Sequence, residues 1–267
     1  MDGNGNVARG SGTGPDAGGM SGSANGSAAG RIVVALDFGS AEEAMRIVRE
    51  PAGIPCWLKV GMELYYAEGP DLVRALKGDG HRVFLDLKLH DIPNTVRGAS
   101  RSIARLGADM FTVHAAGGVK MMEAAVEGVQ DAVGDTAPGP LVVAVTQLTS
   151  TDQAALNEEI GIPGTVEEAV LRYAANARKA GLHGVVASPR EAGRLKRELG
   201  SGFLAVTPGI RPAGSDRGDQ ARVMTPREAF AEGADYIVIG RPITKAPDPR
   251  RALLDVIASV ELPEAPA

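Results

Sequence analysis

From residue 31 onward, short apolar runs alternate with longer amphipathic segments along the chain. The runs are three to five residues long, are mostly β-branched or aliphatic, and lead into polar loops, which is typical of buried strands. Strands are therefore predicted at Ile32–Leu36, Cys56–Val60, Val83–Leu87, Met110–Val113, Leu141–Val145, Gly184–Ala187, Leu204–Val206 and Tyr236–Ile239.

Between these runs, apolar residues recur at helical spacing. The pattern predicts helices at Ala41–Arg49, Asn94–Leu106, Lys120–Val133, Val166–Lys179, Glu191–Leu199, Pro226–Glu232 and Arg250–Val260. Ser40 and Glu43, three residues apart, predict a capping box at the start of the first helix. Gly107, Gly181 and Gly233 each follow a predicted helix, where a left-handed cap favours glycine.

The alternation of strands and helices predicts an α/β protein with a parallel sheet covered by helices. Eight strand–helix units within residues 31–267 indicate a single-domain (β/α)8 TIM barrel. An open doubly wound sheet is the alternative, but the first strand is not followed by a glycine-rich dinucleotide fingerprint. Residues 1–30 are mostly Gly, Ser, Ala and Asn and predict a disordered tail.

Composition narrows the class of protein. The 267-residue chain is 44% hydrophobic and carries a net charge of −5, which argues against a nucleic-acid-binding surface. Its one cysteine, Cys56, excludes an intrachain disulfide and is predicted to be buried. No apolar stretch is long enough for a membrane span, and no signal peptide is evident, so a cytoplasmic protein without a membrane partner is expected.

The third predicted strand leads into the segment with the most distinctive chemistry. Asp86 and Lys88 are two residues apart near its end, and Asp91 follows shortly after. Residues two apart in a strand share a face, so the carboxylate and the ammonium would converge. Removing a charged group from water costs much free energy unless the group is paired with an opposite charge. This strand end is therefore a candidate site.

Polar residues also lie at or directly after the ends of most of the other predicted strands. They are Asp37, Lys59, His114, Thr146 to Thr149, Ser188, the 208–211 segment, Gly240 and Arg241. In a (β/α)8 barrel these positions meet at the mouth where active sites lie. Gly209 and Gly240 allow close backbone approach, while Arg211 and Arg241 supply planar donors, so the last two units predict a phosphate site. Residues 212–224 would form a lid.

The four histidines carry less information. His81 and His183 precede strands at the opposite end of the barrel and are expected to be structural. His90 is expected to shape the turn after the third strand, and His114 either lines the pocket or packs beside it. Their spacing from carboxylates does not match a metal site, so no metal is predicted.

Together these motifs closely resemble the orotidine 5'-phosphate decarboxylase family, over nearly all of residues 32–257. The resemblance rests on Val-Ala-Leu-Asp at 34–37, Leu-Lys-Val-Gly at 58–61, Asp-Leu-Lys-Leu-His-Asp-Ile-Pro-Asn-Thr at 86–95, Val-Thr-Gln-Leu-Thr-Ser at 145–150, Thr-Pro-Gly-Ile-Arg at 207–211, Asp-Gln at 219–220 and Ile-Gly-Arg at 239–241. Several long motifs occur in the same order as in the family, which a chance match does not explain.

The resemblance implies decarboxylation of orotidine 5'-phosphate to uridine 5'-phosphate and CO2, without cofactor, as the last step of de novo uridine monophosphate biosynthesis. Lys88 would stabilise and protonate the C6 carbanion, between Asp86 and Asp91, with Lys59 in the same charged network. Asp91 would reach into the site of the neighbouring subunit, which implies an obligate homodimer.

The resemblance also implies a set of substrate-binding residues, which are Asp37, Lys59, Ile92, Thr95, Thr149, Arg211, Gln220, Gly240 and Arg241. Asp37 and Lys59 would bind the ribose and Thr149 the edge of the pyrimidine. The phosphate would lie against Gln220, Gly240 and Arg241, with Arg211 close by.

Three alternatives stay open. A metal-dependent decarboxylase or aldolase acting on a sugar phosphate shares the barrel and the Asp-x-Lys-x-x-Asp spacing, but it resembles this chain less because Lys59 stands where such enzymes have a glutamate. A Schiff-base aldolase would need Lys88 as a neutral amine, which the flanking carboxylates disfavour. A non-catalytic nucleotide binder would keep the fold and lose the reaction.

Overall fold

The computed structural model of the chain describes residues 27–134, 137–212 and 224–261. Eight parallel strands, β1 to β8, pair in sequence order, and β8 pairs with β1 to close the barrel. Their bounds are Ile32–Leu36, Trp57–Gly61, Arg82–Leu89, Met110–His114, Leu141–Val145, Gly184–Val186, Leu204–Thr207 and Tyr236–Ile239. The predicted (β/α)8 fold class is confirmed.

Helices cover the outside of the barrel. The α-helices are α1 (Ala41–Arg49), α2 (Met62–Glu68), α3 (Pro70–Gly78), α4 (Pro93–Leu106), α5 (Gly118–Val133), α6 (Val166–Lys179), α7 (Pro189–Leu199), α8 (Pro226–Ala231), α9 (Arg241–Thr244) and α10 (Pro249–Glu261). Short 3-10 turns lie at Ala29–Arg31 and Ala115–Gly117, and a π-helical turn lies at Ala155–Glu159. None of the helices in the described ranges has the length and apolar character needed to cross a bilayer.

Alternation along the strands separates two apolar layers. One set of alternate residues fills the barrel interior and includes Val33, Trp57, Phe84, Met110 and Val238. The other set faces outward and packs against the helices as the larger core. Because the period is two, the interior positions that follow Trp57 and Phe84 are Lys59 and Asp86. The barrel is thus apolar at its lower end and charged near its mouth.

Strand positions agree with the sequence-based prediction to within two residues at each end. Predicted helices are all present, while α2 and α3, between β2 and β3, were not assigned from the sequence. At the start of α1, Ser40 Oγ accepts the Glu43 amide at 3.4 Å. Gly107, Gly181 and Gly233 have positive φ, as left-handed caps require.

The first residues of the described chain belong to the barrel. Ala29 and Gly30 are buried, and the Gly30 carbonyl accepts a hydrogen bond from Trp57 Nε1 at 3.0 Å. Gly30, the last residue of the predicted tail, thus contacts the barrel through the indole of Trp57. Residues 1–26 of the predicted tail (1–30) and residues 213–223 of the predicted lid (212–224) lie outside the described residues.

Cys56, which directly precedes β2, is buried as predicted. Burial raises the pKa of its thiol to about 11, while a backbone hydrogen bond lowers it to a smaller extent. The thiolate is the reactive form of cysteine, so this side chain is chemically inert in the folded protein. Its contribution is packing.

Candidate active site

A cavity of about 400 Å³ opens at the carboxyl ends of the strands. This volume suits a small organic ligand. The predicted site residues on its wall are Asp37, Lys59, Asp86, Lys88, Thr149, Arg211, Gly240 and Arg241. Residues that are far apart in sequence meet here because parallel strands of a barrel all end at the same mouth.

Four of these side chains form a row of alternating charge. Lys59 Nζ lies 3.0 Å from Asp37 Oδ1 and 3.7 Å from Asp86 Oδ2. Lys88 Nζ lies 3.0 Å from the other Asp86 oxygen, Oδ1. We call these four residues the charged row. Each charge has an opposite neighbour, which compensates for its partial removal from water.

Gly61 leaves room for the first ion pair of the charged row. A Cβ atom at this position would lie 3.2 Å from Lys59 Nζ and 3.5 Å from Asp37 Oδ1. The first distance is tighter than ordinary packing allows, so a side chain would press on the ammonium. Glycine at the last position of β2 is thus tied to the position of Lys59.

Asp86 is the central member of the charged row. Burial alone raises the pKa of its carboxyl group, but the charges of Lys59 and Lys88 and the hydrogen bonds from Lys88 and Thr112 lower it. The net pKa is below the ordinary value, so Asp86 is ionised at neutral pH. This ionised carboxylate forms an ion pair with the Lys88 side chain at 3.0 Å.

Thr112 is a site-associated residue that the sequence analysis missed. It lies within β4 and is fully buried, and its Oγ1 donates a hydrogen bond to Asp86 Oδ1 at 3.1 Å. The available signal was a lone hydroxyl inside an otherwise apolar predicted strand. Lys245, which also lines the cavity, was missed because it lies after the short helix α9 and outside any recognised motif.

The part of the cavity wall that follows β7 and β8 has the character of an anion site. Gly209, with φ of 80°, lies on the wall together with Arg211, Gly240, Arg241 and Lys245. Arg211 is buried, and its Nη1 donates to the Ile210 carbonyl at 2.9 Å. Several cationic side chains beside glycine backbone suit a phosphate group. Gln220, the remaining predicted phosphate ligand, lies outside the described residues.

Asp91, Ile92 and Thr95 are placed differently from the other predicted site residues. All three are exposed, and among the described residues they are not part of the cavity wall. Ile92 is 67% exposed, which is unusual for a large aliphatic side chain beside a polar mouth. The single chain therefore does not bring these three residues to its own cavity.

His90 and His114 stack on each other beside Lys88, with ring centroids 5.3 Å apart and an interplanar angle of 16°. Burial, followed by the charges of His90 and Lys88, lowers the pKa of His114. His114 Nδ1 accepts the Ala116 amide at 3.2 Å, so the ring proton of the neutral form is on Nε2. Neither His114 nor Ser188 is on the cavity wall of the described chain.

A cation is already present where acidic side chains converge. The ammonium of Lys59 lies between the carboxylates of Asp37 and Asp86, in the space that a metal ion bound by both would need. Within the part of the chain that the structure describes, no three His, Cys, Asp or Glu side chains are grouped as metal ligands.

The sequence model of the orotidine 5'-phosphate decarboxylase / HUMPS family matches residues 30–256. The chain belongs to this family. The match includes the charged row and the anion site, and it extends over nearly the whole described barrel.

Family members with high similarity come from several bacteria. The orotidine 5'-phosphate decarboxylase of Geobacillus kaustophilus is 56% identical over 220 residues, which is 82% of this chain and 90% of that protein. The enzyme of the same name from Moorella thermoacetica is 53% identical over 233 residues, covering 87% and 92%.

Solved structures in the family have the same fold. The crystal structure of orotidine 5'-phosphate decarboxylase from Lactobacillus acidophilus gives a TM-score of 0.78 at 39% identity, covering 86% of this chain and 99% of that chain. An uncharacterized conserved protein from Geobacillus kaustophilus gives 0.77 at 49% identity, covering 86% and 100%.

Proposed function

We propose that the protein decarboxylates orotidine 5'-phosphate to uridine 5'-phosphate and CO2 without a cofactor, the last step of de novo uridine monophosphate biosynthesis. The observation that supports this most directly is the charged row, which ends in a lysine held against a permanent carboxylate. The row shares a cavity of suitable size with an anion site, in a chain of the orotidine 5'-phosphate decarboxylase / HUMPS family.

In the proposed reaction, the bond between C6 of the pyrimidine and its carboxylate breaks and CO2 leaves. The electron pair stays on C6, where the ring delocalises it poorly. The Lys88 ammonium, adjacent to that carbon, stabilises the developing negative charge and then transfers one of its protons to C6. Lys88 regains a proton from solvent after product release.

Asp86 supports this step by keeping Lys88 protonated. Its carboxylate lies 3.0 Å from the ammonium and is itself ionised because of Lys59 and Lys88. A neutral amine would be the form required for a Schiff base, so the same contact disfavours covalent chemistry at Lys88. Lys59 fixes Asp86 from the other side.

The remaining predicted site residues bind the substrate. Asp37 and Lys59 hold ribose hydroxyl groups at one edge, and Thr149 meets the pyrimidine. Gly240, Arg241 and Gln220 hold the phosphate, together with Arg211. This phosphate is remote from C6, so its binding energy supports orientation and closure of the site and contributes to the rate as well as to affinity.

The active form is a homodimer in which Asp91, Ile92 and Thr95 complete the cavity of the neighbouring subunit. The support is their placement: all three are exposed near the mouth yet do not contribute to the cavity wall of their own chain. Pairing of two subunits across this edge would cover Ile92 and bring a second carboxylate, Asp91, to Lys88 of the partner. A cytoplasmic location remains a prediction from the sequence.

The test follows the loss of orotidine 5'-phosphate absorbance with purified protein in excess EDTA. Conversion to uridine 5'-phosphate in chelator is the expected result. Activity that appears only after magnesium is added would favour the metal-dependent members of the family. Binding of uridine 5'-phosphate without turnover under either condition would make the protein a binder and contradict the proposal.

A further inference from the structure

Lys88 has an unusual backbone conformation. Among the non-glycine residues of the described chain it alone has a positive φ, of 53°. The pairing of β3 with β4 is irregular over the same stretch, with a register shift between Leu85 and Leu89. Side chains other than glycine avoid this region, and such strain persists only where surrounding contacts enforce it.

Thr112 of β4 supplies the contact. Its Oγ1 lies 2.8 Å from the Lys88 backbone nitrogen and 3.1 Å from Asp86 Oδ1. A backbone N–H can only donate and a carboxylate can only accept. The single hydroxyl therefore accepts from Lys88 and donates its proton to Asp86, and both of its bonds are determined.

These two bonds act on two members of the charged row at once. The first holds the Lys88 backbone in its strained conformation. The second directs Asp86 so that Oδ1 faces Lys88 at 3.0 Å while Oδ2 faces Lys59 at 3.7 Å. Thr112 itself is fully buried and is not on the cavity wall, so it does not contact substrate.

We infer that Thr112 is a positioning residue for the decarboxylation, a role that rests on the proposed function. Its hydroxyl fixes the direction from which the Lys88 ammonium meets C6 by clamping the Lys88 backbone to the Asp86 carboxylate. Catalysis by a charged group is sensitive to placement, since an error of about 1 Å can reduce a rate by about 10²-fold.

Thr112→Val keeps the shape of the side chain and removes the hydroxyl. We expect kcat to fall by about 10²-fold, the size of effect expected for a misplaced catalytic group. KM for orotidine 5'-phosphate and the affinity for uridine 5'-phosphate should stay close to wild type because the binding residues are untouched. Thr112→Ser keeps the hydroxyl and loses only the methyl group, so it should retain most of the wild-type kcat.

Thr207→Val is the matched control. Thr207 is equally buried at the end of β7, but its hydroxyl donates to the Tyr236 carbonyl at 3.3 Å instead of to the charged row. Its kcat should be unchanged. Equal losses of kcat in Thr207→Val and Thr112→Val would assign the effect to general destabilisation and overturn the inference.

Two further results would overturn it. The first is a wild-type kcat in Thr112→Val. The second is a Thr112→Ser enzyme that is folded and inactive. The second result can be obtained even if Thr112→Val does not fold. A crystal structure of Thr112→Val should show Lys88 relaxed to negative φ. Absence of turnover by the wild-type enzyme would contradict the proposed function, and this structural readout would still test the clamp.

Discussion

At the scale of single residues, Lys88 combines two properties that are rarely found together. Its side chain forms an ion pair with Asp86 at 3.0 Å, and it is aimed by a backbone conformation that side chains normally avoid. The first property provides electrostatic stabilisation and a transferable proton, and the second provides direction. Both are lost if the side chain is removed.

Replacing Lys88 with Ala should therefore abolish turnover, with kcat reduced by at least about 10⁴-fold, since proton transfer and charge stabilisation each contribute about 10² or more. The fold and much of the affinity for uridine 5'-phosphate should remain, because the anion site is on other strands. Steady-state kinetics and calorimetric titration with product measure the two effects. Lys179→Ala, on the exposed end of α6, is the control. Substantial residual activity in Lys88→Ala would remove Lys88 from its proposed role.

The same ammonium affects its neighbour His114. Burial, the charge of His90 and the charge of Lys88 all lower the pKa of His114, in that order of size. In a chemical-shift titration, His114 should lose its proton below the ordinary pKa of about 6.5. Lys88→Ala should raise the pKa of His114 by a smaller amount than burial lowers it.

The depressed pKa of His114 has a consequence for stability. The unfolded chain takes up this proton near pH 6.5 while the folded protein resists it, so stability falls as the pH drops through that range toward the folded pKa. Denaturant unfolding at several pH values should show this slope, and His114→Gln should reduce it. A steeper loss in His114→Gln would contradict the assignment.

At the scale of elements, a repeated hydrogen-bonding arrangement links neighbouring strands at the end of the barrel opposite the mouth. The sequence Gly-Ala-Asp occurs at 107–109, before β4, and at 233–235, before β8. Asp109 Oδ2 accepts from the Val83 amide at 2.7 Å and from Lys77 Nζ at 2.6 Å. Asp235 Oδ2 accepts from the Ala205 amide at 2.7 Å and from Lys196 Nζ at 2.5 Å. Each aspartate thus fastens a strand to its predecessor and to a helix.

Removing one of these carboxylates should destabilise the barrel without changing the site. Asp235→Ala leaves the buried Ala205 amide and the Lys196 ammonium without this acceptor, a loss of about 2 kcal/mol in the free energy of unfolding. Urea unfolding measures it. Asp71→Ala is the control, because Asp71 pairs with Arg74 on the exposed surface, where such pairs contribute little. Equal losses of stability in Asp235→Ala and Asp71→Ala would contradict this role of Asp235.

The local pattern of the chain was enough to predict the strands and the fold, because buried parallel strands are continuous apolar runs. It was also enough to identify most residues of the cavity wall, since strand ends in a barrel share one mouth. The backbone conformation of Lys88 and the positioning role inferred for Thr112 were not predictable, because both depend on the irregular register between β3 and β4. Alternation alone would have given Asp86 and Lys88 a regular strand.

At the scale of the whole molecule, the proposed dimer divides each site between two chains. Its cavity has Lys88 and Asp86, while Asp91, Ile92 and Thr95 lie exposed outside the wall. In a two-fold symmetric dimer each subunit would give these three residues and receive the same three. The arrangement requires that defects in Lys88 and in Asp91 affect different sites of the same dimer.

Mixing inactive Lys88→Ala chains with inactive Asp91→Ala chains should therefore restore activity. In a mixed dimer, the site with an intact Lys88 receives Asp91 from the Lys88→Ala partner, so random exchange completes about a quarter of all sites. Turnover of orotidine 5'-phosphate after subunit exchange measures the recovery. Lys88→Ala mixed with Asp86→Ala is the matched control, since each defect lies in the cavity of the chain that carries it and neither site of a mixed dimer is complete. Verified exchange without recovery would place Asp91 in its own subunit's site, and the exposed position of Asp91 would then require a movement of the segment after β3 toward its own cavity.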